Sequence, residues 1–410
     1  MYNFNYLPFE TYFIIHNHTN QNYITNQNYI MNQNYISPDL VGQIPLKLND
    51  WISLNDIYGV YGAFLSKNPN AIRLLEQNLG IREGSDIRSI EAPKRKIDWI
   101  NWVSLSGNPN AIPILERNLD KVNWVSLSGN PNAIPILERN LDKVDWVSLS
   151  GNPNAIPILE RNLHKVNWSI LSENPNAVPL LEQNPDKIDW FWLSTNPNAI
   201  PLLERNLDKV GWTSLSYNPN AIPLLERNLD KVDWIWLSSN PNAIPILERN
   251  LDKVNWFCLS SNPNAIPMLE RHLDKIKQDS GEQNPVTSVI RNAEGMEAFI
   301  WEMHWEMQSS GSIDWNLLSR NPNAIPILER NLDKINWDWL SHNPNAMPIL
   351  KENQDKINWS YLAENPGIFV YDYDAMIETN KSLKEELMQR TWHPSRVAAR
   401  LDAGIDVEDM

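Results

Sequence analysis

The sequence predicts an all-α fold: an α/α solenoid of about twelve short two-helix repeats, with terminal caps and one helical insert. Three observations lead there. The dipeptide Asn-Pro returns at Asn108, Asn130, Asn152, Asn174, Asn196, Asn218, Asn240 and Asn262, with 22 residues at every step. A Trp stands six residues before each of these anchors, from Trp102 to Trp256. After each anchor comes an apolar pair at helical spacing, such as Ile134 and Leu137. Four further anchors, Asn68, Asn321, Asn343 and Asn365, extend the pattern to both sides.

One copy, 123–144, shows why the unit is helical. Trp124 and Leu127 lie three apart, on one face of a short first helix, and Asn123 is a good N-cap for it. Asn130-Pro131 then ends that helix and turns the chain. The second helix is expected to be capped by Asn132 and to begin at Ala133, which puts Pro135 in the first turn, where no helical hydrogen bond is lost. Ile134, Leu137 and Leu141 would then share its buried face. A leucine-rich-repeat horseshoe is the alternative, because Leu127 to Asn130 imitates its Leu-x-x-Asn signature. The strand position before that piece fails: it holds Val125 but also Ser169, Thr213, Asn316 and Asp338. Two prolines per unit also disfavour a strand ladder.

A single unit buries too little apolar surface to offset the ordering of its own backbone, so copies must stack. An open stack of twelve would extend on the order of 100 Å and would need polar caps at its ends.

The chain divides accordingly. Residues 1–46 are an Asn/Gln/Tyr-rich tract of low complexity, expected to be disordered. Residues 47–106 hold a degenerate first unit with Gly62 at the Trp position, read as an N-terminal cap with an insertion. The regular array covers 107–276. Residues 277–312 form an insert in which Met296 to Met307 reads as a helix, with an apolar stripe and with Trp301 and Trp305 one turn apart. Repeats resume at 313–366, and 367–410 reads as C-terminal cap helices with an acidic end. The insert raises the question of whether stacking continues across it.

The net charge of −15 disfavours nucleic acid and anionic membrane as partners. A single cysteine, Cys258, excludes an internal disulfide framework and fits a reducing compartment. No apolar stretch is long enough to span a membrane, and the first basic residue is Lys47, so no secretory signal is expected. The expectation is an intracellular protein. No phosphate-binding glycine loop, paired-Cys spacing or His-Glu-x-x-His occurs. His16 and His18 form a chance pair in the tail, while His164, His272 and His342 are read as surface. Cys258 has no His in register to activate it. Glu138 and Arg139 recur in most copies as solvated charge. No catalytic, cofactor or metal site is therefore expected, and no small-molecule substrate.

The unit Asp-Trp-x-x-Leu-Ser-x-Asn-Pro-Asn-Ala-Ile-Pro-x-Leu-Glu resembles the Trp-containing repeats of giant DNA viruses that infect amoebae and algae. The ending Leu383-Lys384-Glu385-Glu386-Leu387 … His393-Pro394-Ser395-Arg396 is similar to a C-terminal segment those proteins carry. The resemblance covers roughly residues 60–405. It implies an expanded viral repeat family, located in host cytoplasm or virion, and it supplies no catalytic residues.

Comparing copies with one another separates fixed from free positions. Trp, Leu, Asn-Pro and the Ile-x-x-Leu pair hardly change. The two residues after the Trp and the residue before Asn-Pro vary widely. Aromatic side chains gather there, and Trp192, Tyr217, Trp236, Trp339 and Tyr361 are candidates for a protein-binding stripe, with Trp301 and Trp305 as a second candidate on the insert. The function expected is a non-catalytic scaffold for protein–protein interaction. The alternative is a structural component of a virion or viral assembly.

Overall fold

The computed structural model describes residues 46–52, 62–79, 100–280 and 312–371. The insert helix around 296–307 with Trp301 and Trp305, the histidines of the N-terminal tail and the segment after 371 lie outside these residues. The repeats are helical, as the pattern predicts. In unit 3, numbering units by their anchors from Asn68, the first helix is Trp124–Gly129 and the second is Ile134–Glu138. Asn123 caps the first helix, its Oδ1 accepting the Ser126 N–H at 2.9 Å. Leu127 and the second-helix residues Ile136 and Leu137 are completely buried between the two layers.

Three details of the unit differ from expectation. The second helix starts one residue later than predicted, at Ile134 with Ala133 at the N-cap. Asn132 is instead occupied by the preceding unit, its Nδ2 donating to the Pro109 carbonyl at 2.9 Å. Leu141 is exposed rather than buried, at 38%, because the helix ends at Glu138 and leaves Leu141 on the turn beyond it. What ends the helix is Asn140, whose Nδ2 donates back to the Ile136 carbonyl at 2.8 Å.

Unit 9 supports that account. There the Asn is replaced by His272, and the second helix runs on through Ile266–Ser280, past the expected boundary at 276. His272 stacks on Trp256 with ring centroids 3.6 Å apart, so it is not a free surface residue.

The joint between units is built around the anchor asparagine. Asn130 is about 1% exposed, and its Nδ2 donates to the carbonyls of Ser106 and Asn108 in the preceding unit, both at 3.0 Å. Its Oδ1 accepts the Asn132 N–H at 3.0 Å. A buried amide is costly unless its groups are paired, and here both donors and the oxygen are engaged. Ser128, also buried, donates to the Trp124 carbonyl at 2.7 Å and accepts the N–H of Asp145, the next N-cap, at 3.0 Å. The Asn-Pro signature is thus a stacking device as well as a helix breaker.

Neither insertion interrupts the stack. Asn108 donates to Ser66 and Asn68, and Asn321 donates to Ser260 and Asn262 at 3.1 and 3.0 Å across the 59-residue gap.

The expected open ends do not exist. Asn68 of unit 1 donates to the carbonyls of Ala363 and Asn365 in unit 12, at 3.0 and 2.9 Å, and Asn70 donates to Pro366 at 3.2 Å. The first helix of unit 1, Gly62–Leu65, packs on that of unit 12, Trp359–Glu364. Strand β1, Leu46–Leu48, pairs antiparallel with β2, Phe369–Tyr371. Unit 1 therefore lies between units 12 and 2, and the array closes into a ring. Each of the twelve joints turns the chain by about 30°. Unit 1 therefore has a neighbour on both sides where an end cap was expected, and the chain after Asn365 passes through a short turn into β2; the remainder of the segment read as C-terminal cap helices lies outside the described residues. Gly367 replaces the usual Asn at that turn, where an added Cβ would come within 2.9 Å of the Pro344 carbonyl.

Candidate interaction surface

The two helical layers are unequally spaced. First helices of neighbouring units pack closely on one another at most joints of the ring, whereas second helices of neighbouring units approach less closely. In a closed ring the more tightly spaced layer is the inner one, so the first helices form the inner wall. With helices about 8–10 Å apart, twelve make a wall roughly 100 Å around, and subtracting the helix radius leaves an opening roughly 20 Å across.

The outer layer carries a belt of ion pairs. Arg139 reaches Glu116 at 2.7 Å, Arg161 reaches Glu138 at 2.8 Å and Arg205 reaches Glu182 at 2.6 Å. Arg227 with Glu204, Arg249 with Glu226 and Arg330 with Glu270 repeat the arrangement. These exposed pairs contribute little individually.

The invariant tryptophans are half-buried and covered. Lysines such as Lys121, Lys165 and Lys231 sit 5.2, 4.5 and 4.7 Å from the ring centroids of Trp102, Trp146 and Trp212. They serve the fold.

What remains on the inner wall is the set of variable positions. The side chain before each anchor meets the second residue after the Trp of the next unit. A Cβ on Gly107 would lie 3.9 Å from Ser126, and one on Gly151 would lie 3.2 Å from Ile170. Tyr217 meets Trp236 edge-on at 6.3 Å. Arg320 covers Trp339 at 5.2 Å, and His342 meets Tyr361 edge-on at 6.2 Å. Trp339 and Tyr361 stack nearly parallel at 6.4 Å, and Trp192 packs edge-on against Phe191 at 5.3 Å.

Of the residues singled out from sequence, Tyr217 and Trp236 meet one another, as do Trp339 and Tyr361, while Trp192 packs on Phe191 of its own unit. Trp192, Tyr217, Trp236 and Trp339 are half-buried, and Tyr361 is 39% exposed. Phe257 and Cys258 form a small second core here, separate from the main one, with Ile235, Trp236 and Leu317 against it. Units 2 to 4 are different. They carry Gly and Ser on the wall, together with Val103, Val125 and Val147, which are 55, 55 and 51% exposed. These valines sit at a position that varies along the array, but they carry no aromatic ring to mark them in the sequence.

Electrostatics complete the wall. His342, read from sequence as surface, is lodged against Tyr361 and Glu364, because its helix packs on the first helix of unit 12. Burial, with Arg320 and Lys67 nearby, pushes its pKa down to about 4. Burial also pushes the Cys258 thiol up to about 12, aided by the carboxylates of Asp233 and Asp314, so it stays protonated. Burial raises Asp233 as well. Among the described residues, no three His, Cys, Asp or Glu side chains converge as a metal site would require. No described helix is long and apolar enough to cross a membrane.

Fold and site together define a class: a closed ring of helical repeats with an irregular inner wall. Compared with known protein families, with characterised proteins and with solved structures, the chain matches none.

Proposed function

We propose that this chain is a non-catalytic scaffold that binds a protein partner on its inner wall, and that it is a viral protein acting inside the host cell. One observation carries the binding reading. Residues that never change between units are consumed by the fold, in the anchor ladder, the cores and the covered tryptophans, while those that change meet on one continuous surface. Neutral drift would leave such positions polar and solvated. Here they hold Trp, Tyr, Phe, Ile and Arg, the residue types that dominate recognition surfaces. The net charge of −15 supports a protein partner over nucleic acid. The viral assignment rests on the repeat and the C-terminal motif alone.

The test uses the full chain as bait in host-cell extract, with captured proteins identified by mass spectrometry. Val103, Val125 and Val147 are more than half exposed, so Glu substitutions there perturb the wall without emptying the core. A partner retained by the wild type and by Glu138→Ala on the outer belt, yet lost with the three Glu substitutions, supports the proposal. A partner lost with Glu138→Ala and kept by the valine variants places binding on the outside and overturns it.

A further inference from the structure

Eleven of the twelve joints in the ring are spanned by the chain itself; the joint from unit 12 to unit 1 is not. The sequence treats that joint differently at several positions. Units 1 to 11 carry a buried serine two residues before the anchor, from Ser66 to Ser341, whose Oγ receives the N–H of the next N-cap where the chain continues, as in Asn123 to Ser106 at 2.9 Å and Asn358 to Ser341 at 3.0 Å. Unit 12 has Ala363 at that place, where no covalently following N-cap exists. Unit 1 has Gly62 in place of Trp, so that unit lacks the ring that a lysine of the same unit covers elsewhere, as Lys121 covers Trp102. The chain of unit 12 passes into β2 instead of a second helix, so the outer Arg–Glu belt has no pair here.

The bonds that close the ring are of two kinds. The anchor ladder continues unchanged through Asn68. Around it stand contacts found at no other described joint: the Lys67–Glu364 ion pair at 2.8 Å, the three-residue ribbon of β1 and β2, and the Asn49 N–H to the Ile368 carbonyl at 2.8 Å. A two-stranded ribbon of this length is marginal by itself. Its strand β1 is a strap reaching across from beyond unit 1, with Ile52 buried beneath it.

We infer that this seam is a releasable latch: the ring opens there, and only there, as one cooperative step that lifts the strap and unit 1 from unit 12. Opening anywhere else tears a chain-linked joint with its serine bond and, at seven of them, an outer ion pair as well. Opening here breaks the ladder, one ion pair, the ribbon and the apolar contact between the faces of units 12 and 1, and it leaves each unit's link to its chain neighbours intact. Because the two faces stay tethered through the rest of the ring, their effective concentration favours reclosure. An open seam gives an extended polypeptide lacking a free end a lateral route to the inner wall, but the latch does not depend on what binds there.

Hydrogen exchange of the full chain, read by mass spectrometry, tests this against a variant carrying Lys67→Cys and Glu364→Cys oxidised to a disulfide. In the wild type, amides of 46–49 and 369–371 should exchange at least tenfold faster than the Leu193 and Leu215 amides in units 6 and 7. The disulfide should slow the seam amides at least tenfold and leave units 6 and 7 unchanged, and reduction should restore the original rates. Glu364→Gln provides a second variant with no cross-link: seam exchange should quicken severalfold while units 6 and 7 hold their rates. Seam and mid-array amides exchanging in step, and responding equally to these changes, would overturn the latch.

Discussion

The side-chain amide of Asn68 donates to the carbonyl of Asn365, 297 residues later in the chain, at 2.9 Å. Asn130 grips Asn108, one unit before it, at 3.0 Å in the same way. The joint that closes the ring is therefore made with the bond that makes every other joint. In an open solenoid the end units lack a neighbour and must be shielded by polar caps. Here every unit has two neighbours, and the end units bury their faces against each other.

The ladder asparagine should be the most sensitive polar position in each unit. Asn196 is completely buried, with Nδ2 donating to Ser172 and Asn174 at 3.1 and 2.8 Å. Asn196→Asp removes two donors and turns a carboxylate toward two carbonyls, which should cost about 2–4 kcal/mol. Asn198, two residues on, makes a single exposed bond to Pro175, and Asn198→Asp should cost less than about 1 kcal/mol. Urea unfolding of both variants checks this. Equal losses would mean that the ladder is not what joins the units.

Much of this was legible in the sequence. The period, the helical unit and the break at Asn-Pro follow from residue spacing alone. Closure does not. Whether twelve units meet depends on a turn of about 30° per joint, and a few degrees less at each would leave a gap; side-chain packing sets that rotation, and no periodicity reports it. Ala363 and Gly367 are the traces that closure leaves in the sequence, as departures from consensus where the chain stops linking units. The variable positions of the wall were legible for a similar reason, since comparing copies separates them from those the fold holds constant. That its aromatics pack on one another was not, because the register between neighbouring units is a tertiary property.

Unit 9 offers a test of how the second helix is ended. Nine units carry an Asn whose Nδ2 donates to the carbonyl four residues before it, from Asn118 to Asn353. At the one regular position held by His272, the helix continues to Ser280. His272→Asn should restore the stop, with its Nδ2 taking the Met268 carbonyl. Amides from 273 to 280 should then lose exchange protection, and helical circular dichroism should fall slightly. Unchanged protection would show that the following sequence, not the missing Asn, drives the extension.

Acid should loosen the joint between units 11 and 12 through His342. Its folded pKa lies near 4, below the ordinary 6.5, so the folded ring prefers the neutral imidazole. That preference is fully present above pH 6.5 and is lost as pH falls from 6.5 toward 4. A shift of this size is worth on the order of 3 kcal/mol at most, and with the side chain 26% exposed about 1–2 kcal/mol is the better expectation. Asp233 works in the opposite sense, since its raised pKa favours the folded state as pH falls. The informative quantity is therefore the difference between wild type and His342→Gln, measured by urea unfolding at pH 7.5 and 4.5. The wild type should lose more stability on acidification; parallel losses would remove His342 from the account.

Cys258 reports whether the aromatic stripe is packing as well as recognition surface. Its thiol is 5% exposed and sits in the small core with Phe257, against Trp236 and Leu317. A thiol held protonated at neutral pH and shielded from reagent reacts slowly. In the native wild type, labelling with a disulfide reagent should proceed at least a hundredfold slower than in denaturant. Trp236→Ala removes the indole on one side of that core and its contact with Tyr217, which should cost about 2–3 kcal/mol. Labelling should rise by tenfold or more while the ring remains folded by circular dichroism. Val125→Ala, on the open arc, should change neither stability nor labelling by a measurable amount. If Cys258 reacts at one rate in all three proteins, Trp236 does not seal this core, and its burial has no part in holding the inner wall together.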